Sequence, residues 1–337
     1  MRIRNDPGQD APNSRSQALT QQPTARWGIV STIKADHRAV LDFVAYHVEL
    51  GAHRLYIHLD VPAPETFAAL KAHPKVRVFT CDAAYWRRLG VARPAKHQAR
   101  QTANATHAYR SRATEVDWLI HIDVDEFLWP DDPVDQTLAA LPAKVQCARV
   151  RPIEALAPVD GLPVHFKGFL PAGPEREATV ARLYPRFGPY VKGGFVSHLA
   201  GKLFLRTGLG AATIKIHNAF VDGVMNPGEA ELDSLRLCHC HAKSWDQWLA
   251  AFQYRLTHGS YRAELAPARA RDKGGLTLHE VLSLVQDSEG EAGLRAFYDE
   301  LCADTPALRL ALETEGLLYR CDLQLEAKRQ KQFPSGK

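Results

Sequence analysis

In the N-terminal part of the chain, apolar and β-branched residues bunch into short runs, and between the runs they recur at helical spacing. The run Trp27-Gly-Ile-Val-Ser-Thr-Ile33 has the character of a buried strand. Asp36 stands as a helix cap before Val40, Leu41, Phe43, Val44, His47, Val48 and Leu50, whose roughly helical spacing stops at Gly51. Arg54-Leu-Tyr-Ile-His-Leu59 predicts a second strand, closed by Asp60 and a loop containing Pro62 and Pro64. A helix around residues 65–72 then leads to a third strand at 76–80. Residues 95–113 contain no Pro or Gly and predict a helix feeding a fourth strand, Trp118-Leu-Ile-His-Ile122. Strands alternating with helices predict an α/β fold, with a mostly parallel sheet covered by helices on both faces. In such a sheet ligands bind beyond the carboxyl ends of the strands.

After Pro130 the pattern loosens. Pro and Gly are frequent between 152 and 228, with short strand-like runs at 146–150 and 202–206. This region reads as loops and antiparallel strands that complete one site. From Trp245 the pattern turns helical, with candidate helices at 245–257, 278–285, 291–304 and 306–315. The expected division is a disordered leader over 1–25, a main domain over 26–244, a helical extension over 245–326 and a flexible basic tail over 327–337. No internal repeat is visible.

Composition narrows the function classes. Of 337 residues, 45% are hydrophobic and 24% charged, which suits a folded globular protein. The net charge of +4, from 42 basic and 38 acidic residues, lacks the concentrated basic field of a nucleic-acid binder. Six cysteines without a C-x-x-C pair argue for a reducing compartment. The run Cys238-His239-Cys240-His241 lacks the second ligand pair that structural zinc normally needs. No apolar run reaches the roughly 20 residues of a membrane span, so the expected location is cytoplasmic, with at most peripheral membrane contact.

The candidate chemistry sits where the fourth strand ends. In His121-Ile-Asp-Val-Asp-Glu-Phe-Leu128 two carboxylates stand two residues apart. Residues i and i+2 of an extended segment point the same way, so Asp123 and Asp125 are expected to converge on one Mg²⁺ or Mn²⁺. Such hard ions take one or two carboxylates plus substrate phosphates. An ion held there would neutralise charge released onto a leaving phosphate or diphosphate. Glu126 is expected to point away from the pair and to orient the loop. Lys202 and Arg206 alternate along one strand and are candidates to offset diphosphate charge. Of the acids in the loop-rich half, Glu154, Asp160 and Asp222, the last is ranked first as a general base, because it follows the strand end at His217-Asn218.

On these residues the chain resembles a glycosyltransferase family 2-like group of the GT-A (Rossmann-like) fold, close to the family 92 type, whose hallmark is a strand ending in D-x-D-E-F. The likeness covers about residues 27–260. Phe43, Tyr46-His47 and Leu50-Gly51 are similar to that group's E-W-x-x-Y-H-x-x-x-G stretch, Gln101 and Asn104 to its Q-x-x-x-N helix, and Gly201-Lys202 to its G-K strand. His239, four residues before Lys243-Ser244, is similar to the first position of an H-Y-x-x-K-S element, with Cys240 in the Tyr place. The sequence departs from the group at Lys34-Ala35-Asp36, where K-N-E is usual, and at Asp60, where D-x-x-S is usual.

The resemblance implies that Ser31, Thr32, Lys34 and Asp60 line a nucleoside pocket, that Gln101, Lys202 and Asp123 serve the donor, and that His239 is a third metal ligand after Asp123 and Asp125. His217 and His241 are its substitutes. It implies a nucleotide-sugar donor (UDP- or GDP-sugar), a glycan or lipid-linked acceptor, inversion at the sugar, and a place in polysaccharide synthesis. Two other classes stay open on the sequence: a metal-dependent phosphohydrolase or phosphotransferase using the same carboxylates, and a non-catalytic sugar-nucleotide-binding protein.

Overall fold

Seven apolar or hydroxylated residues make β1 (Trp27–Ile33), a strand buried along its whole length. Asp36 accepts the Ala39 N–H at 2.8 Å and starts α1 (His37–Glu49), which stops just before Gly51 at a φ of 101°. Then come β2 (Arg54–Leu59), α2 (Pro64–Ala72), β3 (Val76–Thr80), α3 (Ala83–Arg88), α4 (His97–Arg112) and β4 (Trp118–His121). The middle of the chain supplies β5 (Glu126–Pro130), α5 (Val134–Ala139), β6 (Cys147–Ala155), β7 (His165–Lys167), α6 (Arg176–Leu183), β8 (Lys202–Arg206), β9 (Ala212–Ile214), β10 (Ala219–Val221), β11 (Val224–Met225) and β12 (Glu229–His239). The chain closes with α7 (Trp245–Thr257), α8 (Leu278–Leu301), α9 (Pro306–Thr314), β13 (Leu318–Arg320) and α10 (Leu325–Gln332). This computed structural model describes residues 23–334, apart from 171 and 172. Most of the expected leader, 1–22, and the last three residues lie outside the described residues.

β3, β2, β1 and β4 lie side by side in parallel. β8 continues the sheet antiparallel to β4, and β6 lies antiparallel to β8. β12 runs parallel to β6 and antiparallel to β5, while β7 and β13 extend the far edge. Alternate residues of β1 explain why no position is exposed. Trp27, Ile29 and Ile33 pack with Phe43 and Val44 of α1, whereas Val30 packs with Ala105 and Tyr109 of α4. With a helix on each face, both sides of the strand are interior, and the sequence reads as a continuous apolar run. The result is the expected α/β class, a Rossmann-like sheet flanked by helices with further helices at the C-terminus, an architecture compatible with GT-A.

The C-terminal helices build a second core around Trp248, Phe252, Phe297, Tyr298 and Leu312. The pattern predicts two helices at 278–285 and 291–304, and they form one element broken at Gly290, whose φ of 62° is non-helical. The expected flexible tail needs correction. Through residue 332 it is α10, which lies on α1, with Arg329 paired to Asp42 and Lys331 to Glu49 at 2.6 Å. Its basic side chains have fixed acidic partners on a helix almost 300 residues away in sequence, a relation no local pattern carries.

Candidate functional site

β4 ends at His121, the chain turns through residues 123–125, and β5 begins at Glu126. Asp123 and Asp125 therefore lie in a turn, which corrects the expectation of an extended i, i+2 pair. Their partners differ. Asp123 Oδ2 accepts from Lys202 Nζ at 2.6 Å, and its Oδ1 accepts from Gln101 Nε2. Asp125 Oδ2 lies 3.7 Å from Nε2 of His239, and its backbone carbonyl accepts the Cys240 N–H. Both side chains keep about a third of their surface open, 30% and 34%.

Glu126 does hold the turn, through the Asp123 N–H, but it does not face away from the pair. It is fully buried and joins the acids it was thought to face away from. One oxygen accepts the Asp123 N–H at 2.8 Å and pairs with Lys202 at 3.2 Å, and the other lies 3.1 Å from His198 Nε2. Glu126, His198 and His239 offer ligand atoms that all lie within 4.8 Å of one another. Nδ1 of His198, Nδ1 of His239 and both ring nitrogens of His121 are buried with no hydrogen-bond partner among the described residues. Buried polar atoms are nearly always satisfied, so this concentration of orphans sets the cluster apart.

The electrostatics follow from one lysine serving several carboxylates. Burial opposes the charge on Asp123 and Glu126, but the Lys202 ammonium outweighs it and holds both below the ordinary carboxyl range, Glu126 well below. Burial likewise opposes the Lys202 charge, and the two carboxylates raise its pKa. His239 is raised to about 9, because the Asp125 carboxylate outweighs its burial. His121 is lowered to about 4 by burial and by the Lys202 charge, and His217 to about 3 by burial and by His198. The imidazoles thus split into one that holds a proton and several that are neutral and available as donors.

Register places a further row across the sheet. His239 on β12 pairs with Glu126 on β5 and, on its other side, with Glu154 on β6, and Glu154 pairs with Lys167 on β7. Directly opposed residues project to the same face of a sheet. Glu126, His239, Glu154 and Lys167 therefore form a row of alternating charge that runs into the cluster.

Other expected site residues lie elsewhere or are already engaged. Ser31 and Thr32 are buried within β1, and the Thr32 hydroxyl accepts from Asn104 at 3.0 Å. Lys34 is exposed just past the end of β1. Asp60 is buried and fully used. Arg100 grips both its oxygens at 2.7 and 2.8 Å, with Arg93 and His97 at 3.2 Å. It is a structural anchor for the start of α4 rather than an open pocket acid. Asp222, the expected base, is an exposed turn residue at φ 50° whose carboxylate accepts the Ala211 N–H. It belongs to the small β9–β10–β11 sheet that packs on α4. Arg206 lies over the Trp118 ring at 4.3 Å and donates to the Val145 carbonyl, at the opposite end of β8 from Lys202. His217 donates through Nδ1 to the Gly201 carbonyl at 2.9 Å, and its ring centre is 4.2 Å from that of His198.

Sequence reasoning missed His198 and the centrality of Glu126. The one available signal was the spacing His198-Leu-Ala-Gly-Lys202, which places an imidazole just upstream of a buried strand lysine.

No family model matches the chain, and no curated protein matches it. Among solved structures it is similar to a mycobacterial protein at 10% identity, over 67% of this chain and 70% of that one, with a TM-score of 0.33. It is similar to the bifunctional glycosyltransferase WbbM in its apo form at 12% identity, over 54% of this chain and 31% of that one, with a TM-score of 0.30. A third likeness is to HddC from Yersinia pseudotuberculosis, at 13% identity over 55% of this chain and 74% of that one, with a TM-score of 0.27. Scores this low carry no inference about activity.

Proposed function

We propose that this chain is a metal-dependent glycosyltransferase that moves a sugar from a nucleoside diphosphate, a UDP- or GDP-sugar, to a hydroxyl of a glycan or lipid-linked acceptor. The observation that carries the reading is the cluster beyond β4: three carboxylates, one lysine and two imidazoles with unpartnered nitrogens, at the end of the parallel strands where such sheets bind ligands. A cation fits this donor set. Carboxylate and imidazole together suit Mn²⁺ better than Mg²⁺, which prefers oxygen ligands alone. Asp125, Glu126, His198 and His239 are the residues that would hold it. When bound, the ion supplies positive charge for the departing diphosphate.

The remaining roles belong to the protein. Lys202 keeps Asp123 and Glu126 ionised and fixes their positions, and Gln101 holds the other Asp123 oxygen. Asp123 thereby presents a partly open, oriented carboxylate toward a donor. Transfer with inversion also requires a base at the acceptor hydroxyl.

Incubation with a panel of nucleotide sugars, Mn²⁺ and simple glycan acceptors tests the reading. Release of nucleoside diphosphate is expected. Release of inorganic phosphate instead would favour a phosphohydrolase built on the same acids, and tight nucleotide binding without turnover would favour a non-catalytic binder.

A further inference from the structure

His198 comes from an irregular segment, and something must hold that segment against β5 and β12. The chain before it is permissive: Gly193 and Gly194 have φ of 61° and 84°, and Gly201 after it has 67°. Such residues give a loop freedom that only outside contacts remove. The contacts come from β6 and β7. Glu154 accepts the Val196 N–H at 3.1 Å on one oxygen and the Ser197 N–H at 2.8 Å on the other. Lys167, with no exposed surface, pairs with Glu154 at 3.1 Å and donates to the Gly194 carbonyl at 2.7 Å. It also donates to the Leu301 carbonyl at the end of α8.

A buried ion pair is weak evidence for stability, because desolvation of both charges offsets their attraction. Its position is more informative. Glu154 grips the two amides immediately before His198 and is also the cross-strand neighbour of His239. One side chain therefore touches the backbone that aims one imidazole and stands beside the strand position that carries the other.

We propose that Glu154 and Lys167 are positioning residues that hold the 194–198 loop so that His198 meets His239 and Glu126 in one cation site. The cation part of this inference rests on the metal-dependent reading above, and the loop part does not. Outer partners that orient metal-binding imidazoles typically change affinity by about ten- to a hundredfold when removed.

The test uses the full chain with Glu154→Gln and with the double variant Glu154→Gln/Lys167→Met. The single change leaves Lys167 buried without its partner and can fail to fold. The double change removes both charges together and keeps the comparison available. Mn²⁺ binding is measured by calorimetry without nucleotide, alongside amide exchange at Val196 and Ser197 and the ring resonances of His198. The expected result for the double variant is a retained fold, faster exchange at both amides, a shifted His198 ring signal and at least tenfold weaker Mn²⁺ binding. A folded double variant with wild-type exchange and an unmoved His198 signal overturns the positioning role, and so does unchanged Mn²⁺ affinity. If the wild-type protein itself binds no Mn²⁺ while the amides and ring still respond, the metal-dependent reading falls and the positioning of the loop stands.

Discussion

Two carboxylate centres lie at the carboxyl ends of β2 and β4, and they are balanced in opposite ways. At the end of β2, the single carboxylate of Asp60 meets Arg93, His97 and Arg100, and every oxygen is taken. Beyond β4, Asp123 and Glu126 share one ammonium, Lys202, Asp125 faces only His239, and the imidazoles around them keep nitrogens with no partner among the described residues. The first centre is closed and has no use for another cation. The second has acids and donors in excess of its built-in positive charge, which is the condition under which a divalent ion gains most. Strand ends alone do not make a site; the local charge balance decides which of them does.

The largest test breaks each centre at its cation. Lys202→Met strands the buried Glu126 carboxylate and frees the partly open Asp123, and is expected to cost about 3–5 kcal/mol, the usual penalty for breaking a buried pair from one side. Added Mn²⁺ should restore part of that loss in a denaturation experiment, since another positive charge then reaches Glu126. Arg100→Met is expected to cost about 1–3 kcal/mol, because Arg93 and His97 remain on Asp60, with no response to Mn²⁺. An equal response of the two variants to the ion would erase the distinction.

Asp125→Asn sharpens the comparison from the other side. Asp125 is a third exposed and makes one long contact to His239, so melting should move by under about 1 kcal/mol. Mn²⁺ affinity measured by calorimetry should fall at least tenfold, and donor turnover with it. Unaltered turnover in this variant would remove Asp125 from the cation site.

The smallest effect is one of pH. His239 holds its proton up to about 9 rather than 6.5, because Asp125 faces it. A raised value contributes stability below 6.5, and that contribution is lost as pH rises through about 9. The metal-free protein should therefore lose on the order of 1 kcal/mol across this window relative to Asp125→Asn, read from denaturant midpoints. Mn²⁺ binding should strengthen over the same window, as the proton it displaces is held less tightly.

Much of the scaffold was legible in residue patterns. The run at 27–33, the cap at Asp36, the stop at Gly51 and the strand before Asp123 all follow from local hydrophobic spacing, which acts wherever the chain lies. The partners of Asp60 and Asp222 were not legible, for a common reason. Each is an acid after a strand, and whether such an acid faces a ligand depends on partners that arrive from elsewhere, Arg100 in one case and the Ala211 amide in the other. Glu126 was misread because the strand was assumed to stay extended past His121, and a turn there reverses which side chains meet.

The sequence by itself determined the α/β alternation and the strand that delivers Asp123, Asp125 and Glu126, because apolar periodicity and capping are encoded over a few neighbouring positions. Only the tertiary structure decided which acids are neutralised and which are left needing a cation. Lys202, His198, His239 and the Glu154–Lys167 pair all lie tens of residues from the acids of the β4–β5 turn, and they meet them through the register of β5, β12, β6 and β7 and the packing of β8 on β4. Charge balance is a sum over neighbours in space, and a linear pattern does not contain that sum.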